Sequence, residues 1–120
     1  MKNLKTLVAH PLFRIFQNPI FLFVMWMCIT LVCCIFKLAQ GRYNNFLIFR
    51  QSYWDALAQI SLYLENLNAY LYGISFTVLI APFAVLPIPL GMILWCLANT
   101  AFLYYAIRKL EPETWKFTLI

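Results

Sequence analysis

The sequence predicts an all-α polytopic membrane protein, with about three transmembrane helices and an amphipathic interfacial helix between the first and second. Two observations carry this. Of the 120 residues 64% are apolar and only 11% charged, and the mean hydropathy is +0.78. An ordinary soluble domain is about half apolar and about a quarter charged, and one of this size has too small a core to hide so much apolar surface. The second observation is where the charges fall. No Lys, Arg, Asp or Glu occurs from Ile15 to Phe36, nor from Asn66 to Ile107. A bilayer core takes roughly 20 helical residues, so the first run holds one crossing and the second two.

Residues 1–19 read as a cytoplasmic interfacial segment, in which Lys2, Lys5 and Arg14 accompany Leu4, Leu7, Val8, Leu12, Phe13 and Phe16. Pro11 bends that segment, and Pro19 separates it from the first span. A cleaved signal peptide fits less well, because the apolar run starts late and no Ala-x-Ala site follows it. Residues 20–38 form transmembrane helix 1, where Thr30 is the only polar side chain between Ile20 and Phe36. Residues 39–69 form an extracytoplasmic loop. Within it Phe46, Phe49, Tyr53, Leu57, Ile60 and Leu64 recur at helical spacing, with Gln51, Asp55 and Gln59 opposite and Arg50 at the apolar margin. Tyr43, Tyr53, Trp54, Tyr63, Tyr70 and Tyr72 gather here as aromatic residues do at a bilayer interface. Residues 70–86 form transmembrane helix 2, kinked at Pro82, and 90–107 transmembrane helix 3. The Pro87-Ile88-Pro89 element divides them, since neither proline donates a backbone hydrogen bond. Residues 108–120 read as a polar turn and the start of a further element.

The Lys/Arg bias sets orientation only weakly. Three basic residues precede the first span, but Lys37, Arg42 and Arg50 follow it, with Asp55 and Glu65. A cytoplasmic N-terminus is the reading adopted, although with three spans it places Arg108 and Lys109 outside, against the rule. The net charge of +5 is spread along membrane boundaries, so lipid head groups are the expected partners and nucleic acid is not.

Metal and cofactor signatures are absent from the sequence. Cys28, Cys33, Cys34 and Cys96 lie in the apolar runs without Cys-x-x-Cys spacing, and His10 is the single histidine. No glycine-rich phosphate loop and no Ser/His/Asp set is present. Glu111 and Glu113 flank Pro112 in a solvated turn, which leaves Asp55 and Glu65 as the carboxylates available to acid–base chemistry in the loop.

Four stretches together resemble a known family. They are Tyr43-Asn-Asn-Phe-Leu-Ile-Phe-Arg-Gln-Ser52, Tyr70-Leu-Tyr-Gly-Ile-Ser-Phe76, Ala81-Pro-Phe-Ala-Val-Leu-Pro87, and Leu94-Trp95 with Asn99. In order and spacing they resemble the N-terminal portion of glycosyltransferase family 87, polytopic GT-C enzymes that use polyprenyl-phosphate sugars, typically mannose. The resemblance implies a bacterial inner (plasma) membrane enzyme. It also implies an acidic residue after the first span that serves the acceptor hydroxyl, and a loop that lines the donor groove. The family's Asp-Phe-x-x-Tyr falls on Asn45-Phe46-Leu47-Ile48-Phe49, so an amide stands where the acid is expected, and Ile74 stands where the family has Pro. An amide cannot take up a proton at neutral pH.

Asn44 and Asn45, with Glu65 as the substitute acid, are accordingly the candidate catalytic residues. Arg42 and Arg50 are the candidates for binding the donor phosphate, since arginine offers a planar fork of donors. Such enzymes are several times longer, so the resemblance implies an N-terminal fragment, inactive alone. The alternative is a small non-enzymatic membrane subunit or scaffold that packs against another membrane protein.

Overall fold

A computed structural model describes residues 15–59 and 72–110. The expected N-terminal interfacial helix therefore lies almost wholly outside the described residues, as do His10, Glu65, Glu111 and Glu113. Within them the chain is helical: α1 (Pro19–Ala39), α2 (Asn44–Leu57), α3 (Ile74–Ala84) and α4 (Ile88–Lys109).

Each helix starts and stops for a readable reason. Asn18 caps α1, its Oδ1 accepting from the backbone N–H of Ile20 at 2.9 Å and of Phe21 at 3.3 Å. Pro19 is the first helical residue, where a missing N–H costs nothing and the fixed φ suits the helix. Pro19 thus opens the apolar helix rather than merely separating it from what precedes. At the other end Gly41 takes φ +66°. Its N–H reaches the Leu38 carbonyl at 3.1 Å, and the Arg42 N–H reaches that of Lys37 at 3.0 Å. This pair of bonds is the Schellman arrangement, which needs a left-handed residue and so a glycine. The turn reverses the chain into α2 at once. Gln59, also with positive φ at 56°, follows the C-terminus of α2.

Pro82 lies inside α3, and the helix nevertheless runs on to Ala84. The break comes after Val85, and α4 begins at Ile88, two residues before the expected start at Leu90. Pro89 falls in its first turn, where no intrahelical donor is required. The Gly91 N–H then closes on the Pro87 carbonyl at 2.8 Å.

α1 (21 residues) and α4 (22 residues) are each long and apolar enough to cross a bilayer, and only 11% and 17% of their most apolar windows are buried. A soluble core helix would be covered far more completely. α3, over most of the second expected span, has 11 residues and rises roughly 16 Å. That is about half of a hydrocarbon core.

The chain divides into two compact units. One takes the chain up to Leu31 and from Leu97 onward. In it Leu22 and Tyr104 are buried, with Phe23, Met25, Trp26 and Ile107 packed on them. The Tyr104 ring stands edge-on to Phe23 at 5.2 Å and to Trp26 at 5.5 Å, and its hydroxyl donates to the Pro19 carbonyl. The Thr30 and Thr100 hydroxyls meet at 2.8 Å. These pairs run in opposite chain directions, so α1 and α4 are antiparallel here.

The other unit is Val32–Cys96, built on Phe46, Ile80 and Met92. Around it the Trp95 ring is met edge-on by Phe83 at 5.3 Å, Phe76 at 5.6 Å and Phe49 at 6.4 Å. Gly91 allows this packing. A Cβ there would lie 2.4 Å from the Phe83 carbonyl oxygen and 2.9 Å from the tip of the Phe46 ring. Because one clash is with backbone, Gly91→Ala should lower stability by about 1–3 kcal/mol, the ordinary cost of overpacking. Gly73→Ala, whose Cβ meets only Ser75 Oγ at 3.8 Å, should change it little. Denaturant titration of both variants in detergent micelles measures the difference, and equal midpoints would contradict this packing.

Candidate functional site

The second unit holds a cleft of about 460 Å³ where the end of α1, the turn after it and the start of α2 face the first half of α4. Lys37, in the last turn of α1, and Arg42, placed by the Gly41 turn, supply its cations. Asn44 and Asn45, the first two residues of α2, supply amides and are exposed. Phe46, Phe49, Met92, Trp95 and Cys96 supply an apolar wall. The volume falls within the roughly 300–1,000 Å³ of ordinary ligand pockets. Two cations, two amides and the free backbone donors of a helix start attract an anion. The aromatic wall suits an apolar remainder on the same molecule. No carboxylate lines the cleft among the described residues, and none of their acidic, Cys or His side chains form a group able to hold a metal ion.

Of the sequence candidates, Arg42, Asn44 and Asn45 are thus brought together. Lys37 joins them, although in the sequence it reads only as a flanking charge. Its place at the site comes from the Schellman turn, which folds Arg42 and α2 back beside the last turn of α1. Glu65 lies outside the described residues.

Arg50 stands apart from the cleft. It borders a smaller depression of about 350 Å³ with Leu47, Ile48 and Gln51. Its Nε donates to the Ala84 carbonyl at 2.9 Å. Ala84 is fully buried and ends α3, where the last carbonyls have no helical partner. A cation at that end is also favoured by the helix dipole. Arg50 therefore joins α2 to the end of α3.

The polar side of α2 departs from the amphipathic pattern as well. Gln51 and Gln59 are exposed, but Asp55 is buried and accepts from Gln51 Nε2 at 2.7 Å. Ser52 is buried too, its hydroxyl donating to the Phe49 carbonyl at 2.7 Å. Leu57, on the apolar side by spacing, is exposed, as suits a side turned to lipid. Periodicity orders residues around one helix, but it cannot say how many sides neighbouring segments cover.

Residues 70–119 match the model of glycosyltransferase family 87. The stretch contains α3, the proline turn and α4, and with them the Ala81–Pro87 motif, Trp95 and Asn99. The family resemblance of the sequence is supported over this part of the chain. Met92, Trp95 and Cys96 of the cleft wall lie inside the family 87 segment, whereas Lys37 to Phe49 precede it. No curated protein and no solved structure matches the chain.

The two arginines should behave differently on substitution. Arg50→Ala removes a charged donor from a buried carbonyl and should cost about 1.5–3 kcal/mol of stability. Arg42→Ala, at an exposed side chain whose turn is held through the backbone, should stay within about 0.5 kcal/mol. Unfolding midpoints in micelles read both, and an Arg42 effect as large as that of Arg50 would contradict these assignments.

Proposed function

We propose that this chain is the N-terminal portion of an integral-membrane glycosyltransferase that takes its sugar, mannose in the typical case, from a polyprenyl-phosphate donor. The observation that carries the reading is the composition of the cleft. Lys37 at the end of α1 and Arg42 in the turn stand beside the two asparagines that open α2, and Trp95 from the matched segment lines the same cleft. A polyprenyl-phosphate sugar has the matching parts: a charged phosphodiester, a polar sugar and an apolar chain.

In this reading Lys37 and Arg42 hold the donor phosphate through charge-assisted hydrogen bonds. Asn44 and Asn45 orient the sugar. The acceptor hydroxyl attacks the anomeric carbon while the carbon–oxygen bond to phosphate breaks. The polyprenyl phosphate that leaves carries a developing charge, which the two cations stabilise. The hydroxyl proton passes to a carboxylate, and Glu65 is assigned that role because Asp55 is buried and already hydrogen-bonded to Gln51. Arg50, outside the cleft, acts by joining α2 to the end of α3. The membrane is the bacterial inner membrane, with the N-terminus on the cytoplasmic face.

Binding tests this without requiring turnover. With the chain in lipid nanodiscs and a labelled polyprenyl-phosphate mannose, Lys37→Ala and Arg42→Ala should each weaken binding about tenfold or more, since one such contact is worth about 1.4 kcal/mol or above. Asn99→Ala, outside the cleft lining, should not. In membranes that catalyse the transfer, Asn45→Ala and Glu65→Gln should lower the rate at saturating donor. Binding that ignores both cation variants would exclude the cleft as the donor site, and capture of a membrane-protein partner without any donor binding would favour the scaffold alternative.

A further inference from the structure

We infer that α3 is a re-entrant element, buried in the acyl chains of the single leaflet on the cleft's side, so that the chain crosses the bilayer twice between Pro19 and Lys109. The inference rests on the membrane setting but not on sugar transfer.

The direction of the long helices comes first. In the unit formed by the chain ends, Tyr104 meets Pro19 and Thr100 meets Thr30. In the Val32–Cys96 unit, the cleft sets Lys37 and Arg42 against Met92 and Trp95, and the free thiols of Cys34 and Cys96 are neighbours within hydrogen-bonding reach. Both units show α1 and α4 antiparallel. If α1 leaves one face of the membrane, α4 must return to it. The intervening chain then makes no net crossing. A second span over 70–86 would make α1 and α4 parallel, which the contacts of both units contradict.

The packing of α2 and α3 agrees. α2 begins beside the start of α4, where Phe46 packs with Met92. At its other end Tyr53, Ala56 and Leu57 share an apolar groove of about 240 Å³ with Thr77, Val78 and Ala81 of α3. α3 starts level with Trp95, whose ring lies 5.6 Å from that of Phe76. Trp95 is roughly 10 Å along α4 from Ile88, about a third of a bilayer core. From there α3 rises to the proline turn. Both of its ends therefore belong to one half of the membrane.

The outward side of α3 is built for lipid. Ile74, Val78, Leu79 and Pro82 are exposed, beside the small exposed Ser75, and α3 carries no charge. Of its two hydroxyls, that of Thr77 is turned inward onto the Ile74 carbonyl at 2.6 Å. Val32, Ile35 and Phe36 on α1 and Leu90 and Leu94 on α4 are exposed in the same unit. On α2, Ser52 and Asp55 are buried and hydrogen-bonded, while Gln51 is exposed.

Two crossings also repair the charge pattern. They put Arg108 and Lys109 on the same face as the flank carrying Lys2, Lys5 and Arg14. The opposite face holds Lys37, Arg42 and Arg50 with Asp55 and Glu65 between the spans. The positive-inside rule then favours the N-terminal face as cytoplasmic, since Arg108 and Lys109 join its basic residues.

Cysteine labelling tests the placement. In the 120-residue chain with Cys28, Cys33, Cys34 and Cys96 changed to Ala, single cysteines at Gln40→Cys, Pro87→Cys and Leu110→Cys are exposed to a membrane-impermeant maleimide in sealed vesicles. Gln40→Cys and Pro87→Cys should label from one side and Leu110→Cys from the other. Where the cysteine-free background fails to insert, an epitope after Gly41, Pro87 or Leu110 of the otherwise native chain gives the same reading by protease protection. A spin label at Val78→Cys should collide with dissolved oxygen more often than with an aqueous nickel chelate. Pro87 on the face opposite Gln40, or a Val78 label that favours the nickel chelate, would overturn the inference. A donor that fails to bind would leave these readings unchanged.

Discussion

Where lipid rather than water surrounds a helix, each polar group must find its partner inside the protein, and the buried side chains among the described residues obey that constraint. No buried side-chain nitrogen or oxygen among them lacks a hydrogen-bond partner. Thr30 meets Thr100, Tyr104 reaches the Pro19 carbonyl, and Ser52 and Thr77 turn back onto their own helices. Arg50 satisfies the carbonyl that ends α3. The pairings do more than remove a penalty. They fix which residues of α1 face which of α4, and they tie α2 to α3. Exposed apolar side chains can then face outward without specifying anything.

Much of this is legible in the sequence, and the reasons differ from element to element. Hydropathy bounds the first span by its apolar run, whereas α1 starts and stops through local devices, the Asn18 cap, the fixed φ of Pro19 and the left-handed turn at Gly41. The proline element is legible because neither proline donates a backbone hydrogen bond, although Pro89 falls in the first turn of α4, where no such donor is needed. α3 is different. Its hydropathy is that of a span, yet its helix has only 11 residues, and Phe76 in its first turn packs against Trp95. Hydropathy measures what a segment tolerates, whereas its depth is set by its neighbours.

The candidate site divides along the same line. Arg42, Asn44 and Asn45 are close in sequence and share the cleft because a tight turn joins α1 to α2. Lys37 enters the cleft through the reversal of the chain, which no single-position property of a lysine announces. Arg50 has the chemistry of a phosphate ligand and a partner, the Ala84 carbonyl, that lies far along the chain. Asp55 fits a solvated helix face by spacing yet is buried. The family 87 match lies on α3 and α4, while most of the cleft's polar groups precede it. Trp95 connects the two, as it belongs to the matched segment and closes the cleft.

The central claim is that an anionic polyprenyl chain occupies this cleft. The most direct measurement is photocrosslinking of a polyprenyl phosphate bearing a diazirine near its phosphate, followed by mass spectrometry of the peptides it modifies. The claim requires labels on the Asn44–Phe49 and Met92–Cys96 stretches, which competing unlabelled donor removes. Labels confined to the outward residues of α1, such as Val24 and Ile35, and indifferent to competitor would contradict it.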